Sequence, residues 1–507
     1  MTRAMNSQKW ALFLKINLGV FVLIVLQGCN SSQKQDREHL VFKYNEHSNI
    51  ATLDPAFARN PQTIWPSNQL FNGLVQLDDQ LNIQPDIAKS WHINDSTYTY
   101  TFTLRDDVYF HKNKVFKKDS TRSVVAQDFV YSFDRLLSPE LASPGSWVFN
   151  AVQRYHAAND STLVIQLNKP FPAFLGLLSM RYCSVVPKEA IAYYGNDFRS
   201  NPVGTGPFRF KFWEENVKLV LRKNPIYFEK DTQGNRLPYL EAVAITFLPD
   251  KQSEFLQFAQ GNIDFMTGLD NSYKDEIITT KGTLQPKYKD RVQLITTPYL
   301  NTEYLGFFMG STTKEIASPL IRQAINYGFD RKKMVTYLRN GMGIAATHGF
   351  IPKGLAGFDS IQGYSYNPEK ARALINTYKQ TTGATSIQVT IGTNSQYLDL
   401  CEYIQRELEK LGISIKIDVM PPATLRQLKS SGELDIFRAS WVADYPDAEN
   451  YLSLFYSPNF TPNGPNYTHF KNVVFDSLYV EAQKISQISK RKLLYTQMDS
   501  IIISQAP

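Results

Sequence analysis

Apolar and polar residues alternate with two distinct periods along this chain, and the two periods succeed one another in a regular order. Tyr98, Tyr100, Phe102 and Leu104 alternate with Thr99, Thr101 and Thr103, the period-2 signature of a half-buried strand. A helix follows, with Val125, Phe129, Val130 and Phe133 on one face. In the later half, Ile387, Val389 and Ile391 mark a strand, and Cys401, Ile404, Leu408 and Leu411 form a helical stripe stopped by Gly412. Ile413, Ile415, Ile417 and Val419 mark the next strand. A short helix carrying Leu425 and Leu428 leads to a third, Leu434 to Ala439. This βαβαβ order predicts a parallel sheet with right-handed crossovers. Ser318-Pro319 and Asn367-Pro368-Glu369 each place a capping side chain before a proline and predict two further helix starts.

Ligands of open parallel sheets bind beyond the carboxyl ends of the strands. The third strand of the unit ends directly at Ser440-Trp441-Val442-Ala443-Asp444-Tyr445-Pro446-Asp447, which makes this segment the main candidate site. Asp444 has three readings: a receptor for a cation, a catalytic acid, or a helix cap in a solvated loop. Its place after a parallel strand, beside Trp441 and Tyr445, favours the first. Arg438, six residues earlier, would meet a carboxylate in bidentate fashion. One strand end would then offer complementary charges to a zwitterion.

The N-terminus changes the picture of location. A basic start precedes Ile16 to Leu26, apolar except for Asn17 and Gly19, and too short to span a bilayer. It ends at Leu26-Gln27-Gly28-Cys29, followed by a polar tether. This resembles a bacterial lipoprotein signal over 1–28, with Cys29 the lipidated first residue and 29–36 the tether. Gln27 departs from the small residue usual at its position, and an ordinary signal peptide with an incidental cysteine is the other reading. Loss of Arg3, Lys9 and Lys15 with the signal takes the formal charge from +7 to +4 over a 507-residue precursor. No dense Lys/Arg block occurs, which argues against nucleic acid as a partner. A chain this long implies two or three domains. Cys183 and Cys401 read as two buried thiols, although export would permit a disulfide.

Enzyme motifs are missing. The seven histidines form no HExxH pair or other close metal-ligand spacing, and there is no G-x-S-x-G elbow or Walker loop. Gly341-Met342-Gly343-Ile344-Ala345-Ala346 fits G-x-G-x-x-A formally, yet it follows a helix instead of a strand and reads as a loop. A triad of distant residues would leave no such motif, so a peptide hydrolase stays open, as does a purely sensory or structural lipoprotein.

An ordered set of segments carries a resemblance. Leu53-Asp54-Pro55 is followed by Leu70-Phe71-Asn72-Gly73-Leu74 and by Gln84-Pro85-Asp86-Ile87-Ala88. Asn201-Pro202-Val203-Gly204-Thr205-Gly206-Pro207-Phe208, Gly261-Asn262-Ile263-Asp264 and Ile321-Arg322-Gln323-Ala324-Ile325 continue it, from about Glu46 to Ala482. The set resembles the extracellular solute-binding proteins of family 5, the peptide and oligopeptide receptors of ATP-binding cassette importers. The resemblance implies an α/β, periplasmic-binding-protein-like fold (class II, cluster C): two main lobes with a hinge, plus an extra third domain. Lobe I would comprise 37–64, 189–295 and 485–507, lobe II 65–188, and lobe III 296–484. The chain stops where relatives continue into a further strand of lobe I. Lys112–Val125 is longer than the usual loop, and Val125 stands where a capping Thr is common.

The implied function is capture of short peptides in the interlobe cleft and delivery to a membrane permease, by a lipid-anchored, extracytoplasmic monomer with no catalytic role and no cofactor. Binders of nickel complexes, haem and sugars also belong to the family and remain alternatives. The resemblance assigns a peptide's α-amino group to Asp444 and its carboxyl end to Arg438. Main-chain partners would be Ile50 to Leu53, with Thr52 between them, and Arg438 to Trp441 through Ser440. Trp441 and Tyr445 would line the site. Trp147 is a candidate cover for the ligand, with packing inside lobe II as its other reading.

Overall fold

The computed structural model describes residues 40–96, 98–117, 120–269 and 273–507. The expected signal, Cys29 and the tether lie outside the described residues.

Three four-stranded sheets organise the chain. The first joins distant stretches: Val41–Glu46 runs parallel to Ala242–Phe247, which pairs antiparallel with Lys218–Lys223, and that strand with Phe208–Glu214. Ala242–Phe247 is apolar and buried at nearly every position, as an interior strand covered on both faces must be. The second sheet is antiparallel, in the order Ala88–Asn94, Thr99–Leu104, Thr162–Leu167, Val152–Asn159. Tyr100, Phe102 and Leu104 point inward and the threonines outward, as the alternation predicts. Tyr98 is the exception, because it turns the chain with φ 51° before the strand begins.

Helix Ala126–Leu137 buries Phe129, Phe133 and Leu136 against this sheet; Val130 is only half-buried. Val125 cannot cap it. Instead the Asp128 carboxylate reaches back to accept the Val125 N–H at 3.0 Å and pairs with Arg122 at 2.7 Å.

The third sheet contains the predicted βαβαβ unit. Ile387–Thr393 is parallel to Ile413–Val419 on one side and to Ile436–Val442 on the other. Helix Leu398–Glu409 buries Cys401, Ile404 and Leu408 between them. The last strand runs to Val442 and not, as expected, to Ala439, because antiparallel pairing with Asn301–Phe307 continues to Val442 opposite Asn301. Asn367 caps its helix, accepting the Lys370 N–H at 2.9 Å, whereas the Ser318 side chain makes no cap bond.

The first two sheets share one hydrophobic core, and the third unit has two of its own. One residue of the third unit, Tyr445, belongs to the core of the first two. The molecule is thus two bodies that meet at this aromatic and again where buried Asn340 donates to Asp275, at 2.6 Å, and to the Ile278 carbonyl, at 3.1 Å. The last segment requires a correction. Expected in lobe I, helix Ile488–Gln505 packs Tyr495, Met498 and Ile502 on Ile351, Leu452 and Phe475 of the third unit. Buried Arg322 fixes its end by donating to the carbonyls of Gln505, at 2.9 Å, and Ala506, at 3.1 Å. The Phe307 N–H donates to Pro507 at 2.8 Å, so this tail, too, borders the third sheet.

The glycines of the 201–208 motif have a structural task. A Cβ on Gly204 would lie 2.1 Å from the Leu70 carbonyl oxygen, and one on Gly206 would lie 2.5 Å from that of Gln69. Backbone passes directly over backbone there, so only glycine fits. Cys183 and Cys401 are both free and buried.

Candidate functional site

The strand Ile436–Val442 presents an unfinished edge. Its parallel neighbour pairs only at Ile391–Ile436 and Gly392–Phe437, so from Arg438 onward the strand is paired on one side alone. The donation of Phe307 N–H to Pro507, away from Ile436, sets the alternation of the antiparallel ladder. Arg438, Ser440 and Val442 therefore turn their own N–H and C=O groups toward the open edge. The Arg438–Trp441 main chain thus has the form that strand addition requires.

Asp444 lies two residues past this edge. Its carboxylate stays exposed, yet protein mass around it pushes its pKa up by desolvation, an effect the Asn450 amide partly offsets. No cation pairs with Asp444 among the described residues. Its charge acts on Tyr182 of the other body, whose hydroxyl is pushed up to about 12 by burial first and by Asp444 second, while Arg59 pulls the other way.

Buried Asn450 organises the floor. Its Oδ1 accepts from Trp441 Nε1 at 2.8 Å and from the Asp444 N–H at 3.1 Å. Beneath lies a buried network: Arg491 pairs with Asp447 at 2.5 Å, Tyr495 donates to Asp447 at 2.8 Å, and Tyr445 and Tyr479 both donate to Glu449. Burial raises the Glu449 carboxyl, an effect the two phenols offset. Sequence reasoning reached Tyr445 and the segment ending at Asp447 but missed Glu449, Asn450, Tyr479, Arg491 and Tyr495. Asp447, Glu449 and Asn450 stand in one polar run ahead of the apolar Tyr451-Leu452-Ser453-Leu454-Phe455, a usable signal; Arg491 and Tyr479 join from distant helices and gave none.

The other expected residues divide. Tyr445 does not line open space: its ring is buried, set edge-on to Phe171 at 6.2 Å, with Gly176 close behind its Cβ. Arg438 is buried, pairs with Glu303 of the neighbouring strand and lies over the Tyr397 ring. Burial lowers its pKa to about 10. Its guanidinium is therefore already engaged, although its Nε keeps no partner. Ser440 is half-buried on the strand. Ile50 and Leu53 are fully buried, which leaves only their main chain for a ligand, and the Leu53 N–H is taken by Arg199 O at 2.8 Å. Thr52 Oγ1 accepts from the Asp54 N–H at 3.0 Å. Trp147 is 37% exposed, two residues after Gly145, whose Cα rests against the Tyr182 ring.

Among the described residues, no group of three or more His, Cys, Asp and Glu is placed to hold a metal ion, and no helix is long and apolar enough to cross a membrane.

Comparison with known proteins agrees with this architecture. The chain is 24% identical to the glutathione-binding protein GsiB of Salmonella typhi over 466 residues, 91% of this chain and 86% of the relative. It is 29% identical to heme-binding protein A of Haemophilus influenzae over 462 residues, 87% and 81% of the two chains. The periplasmic binding protein DppA from Helicobacter pylori, solved with the peptide STSA, superimposes with a TM-score of 0.72 at 25% identity over 92% of this chain and 91% of that one. HbpA2 from Haemophilus parasuis gives 0.78 at 24% identity, covering 92% of each chain. The family model for bacterial extracellular solute-binding proteins, family 5 Middle, matches residues 82–463, and with the two-bodied α/β fold this places the chain in that family of ABC-importer substrate-binding proteins.

Proposed function

We propose that this protein captures short peptides between its two bodies and hands them to an ABC permease. The observation that carries this reading is Asp444, an exposed carboxylate without a cationic partner among the described residues, at the end of a strand whose edge is open. A peptide ammonium neutralises that charge, and the peptide main chain extends the sheet along Arg438–Trp441. Ile50–Leu53 forms the opposite rail through its main chain. Trp441 and Trp147 flank the ligand, and bridging waters give breadth of side chain. The clamp consists of lobe I, 37–64 with 189–295, lobe II, 65–188, and lobe III, 296–484 joined by the C-terminal helix; it closes by bending between the two bodies.

The likeness to DppA, solved with a peptide, supports the peptide ligand, and the likeness to heme-binding protein A supports haem as the second candidate. Processing at Cys29 would tether the protein, as a monomer, to the outer side of a bacterial membrane. Native mass spectrometry of gently purified protein tests the ligand class. Adducts of peptide mass support the proposal; a 1:1 haem adduct, or no gain in mass or heat with any peptide, would sink it. Mass analysis of the membrane-extracted protein checks for a diacylated Cys29. Incubation with peptides, followed by a search for cleavage, separates receptor from hydrolase.

A further inference from the structure

We propose that Lys112 and Arg209, backed by Arg222, hold a phosphate dianion, free or as a monoester, on the body formed by the first two sheets. None of these residues is among those placed against the peptide, so the site stands apart from the interlobe cleft.

The stretch that begins at Lys112 is anchored by the residue before it. His111 is buried and spends both ring nitrogens: Nε2 donates to the Gly206 carbonyl at 3.0 Å, and Nδ1 accepts the Gly204 N–H at 3.3 Å. Its ring is neutral, since burial first and Arg209 second hold its pKa down at about 4, against the pull of the Gly206 carbonyl. Asn113 donates its N–H to the Ser120 carbonyl at 2.7 Å, and its Oδ1 accepts the Val115 N–H at 3.1 Å and the Tyr194 hydroxyl at 3.2 Å. With that oxygen doubly engaged, the Asn113 amide nitrogen has no acceptor among the described residues and is left to donate. Lys114 lies over the Tyr193 and Tyr194 rings, at 5.0 and 5.8 Å, which fastens the loop to helix Lys188–Tyr194.

Between this loop and the strand Phe208–Glu214 lies a recess of about 60 Å³, room for several waters or one tetrahedral oxyanion. His111, Lys112, Asn113, Tyr194 and Arg209 line it; two of its lining residues are cations and none is an acid. The sheet supplies a second, independent sign. Arg209 stands directly opposite Arg222 on the antiparallel neighbour, and both are exposed. Opposed residues put their Cβ atoms roughly 5 Å apart, where like charges repel. Among the described residues, neither arginine nor Lys112 has an ion pair or a side-chain hydrogen bond. Two unpaired cations at one recess, with a third directly across from one of them, match an anion of more than one charge. A phosphodiester carries only one.

Calorimetry on the full-length protein, in chloride buffer at constant ionic strength, tests this with two probes. Inorganic phosphate represents the free ion, and dihexanoyl phosphatidate, kept monomeric, represents a lipid-borne monoester. Phosphate is expected to bind at a single site. Arg209→Gln and Lys112→Gln should each weaken it about 10-fold, and Arg222→Gln by less. Lys416→Gln, which removes an exposed lysine of the third sheet, should leave it within about twofold, because a distant charge is screened. Phosphatidate bound more tightly than phosphate, with the same dependence on Arg209, supports the site and names a lipid as its source. Phosphate bound as tightly or more tightly supports the site and names the free ion. Binding of neither probe, affinities unchanged in Arg209→Gln and Lys112→Gln, or a loss that Lys416→Gln reproduces would each overturn the site.

Discussion

Asn450 holds Asp444 by its main chain and leaves its carboxylate almost untouched. The amide oxygen accepts the Asp444 N–H at 3.1 Å, whereas Asp444 Oδ2 stands 3.5 Å from the amide nitrogen. Because the same oxygen also accepts the Trp441 indole N–H, one buried side chain sets the direction of both candidate ligand contacts. A carboxylate aimed by its backbone and still lacking a strong partner is arranged for a visiting cation.

Replacing Asp444 with alanine should therefore cost the peptide ammonium its buried partner, about 3–5 kcal/mol, or two to four decades in affinity by calorimetry. An unchanged affinity would remove Asp444 from the site. The sign of the pH effect follows from the raised carboxyl. Affinity should hold steady above that raised value and fall as acidification protonates Asp444.

Asn450→Ala leaves the Trp441 indole and the Asp444 N–H without an acceptor. Thermal unfolding should show a loss of about 1–3 kcal/mol, and affinity should fall as well. A purely structural role for Asn450 would lower stability and leave peptide affinity in the surviving folded fraction intact.

Gly204→Ala drives a methyl group into the Leu70 carbonyl, and neither backbone can yield without breaking the chain of contacts around it. Destabilisation above about 3 kcal/mol is expected in urea unfolding, whereas Gly261→Ala, whose Cβ meets nothing within 4 Å and whose φ is 76°, should show only the smaller strain of its left-handed backbone.

Glu46 is buried beside Glu254, and burial followed by that neighbour raises its pKa to about 7. Its Oε1 has no hydrogen-bond partner among the described residues. A carboxyl raised on folding takes up a proton that the unfolded chain releases, so its contribution is present in full below the unfolded value and is lost as pH rises through about 7. Glu46→Gln should raise the melting temperature at pH 8, by an amount equivalent to roughly 1–2 kcal/mol after solvent screening, with the gain shrinking toward pH 5. A gain equal at both pH values would contradict the protonation argument.

Much of the third unit was legible because its strands and helices follow one another locally and carry clean apolar periods. The place of Asp444 just past a strand's end was legible for the same reason, and its role remains the proposal made above. The engagement of Arg438 was not, since Glu303 sits on a strand 135 residues away and sequence carries no register between them. The terminal helix was assigned to lobe I by likeness to relatives; its apolar residues fit the third unit's core, and the carbonyls at its end meet buried Arg322.

Tyr445 gives the opening motion an energetic shape. Its ring is lodged in the neighbouring body's apolar interior, and its hydroxyl is tied back to Glu449 in its own. To part, the two halves must withdraw an aromatic from a greasy socket, a toll of about 1.5–3 kcal/mol for such a side chain. Separation at this contact carries that toll whether or not cargo is present.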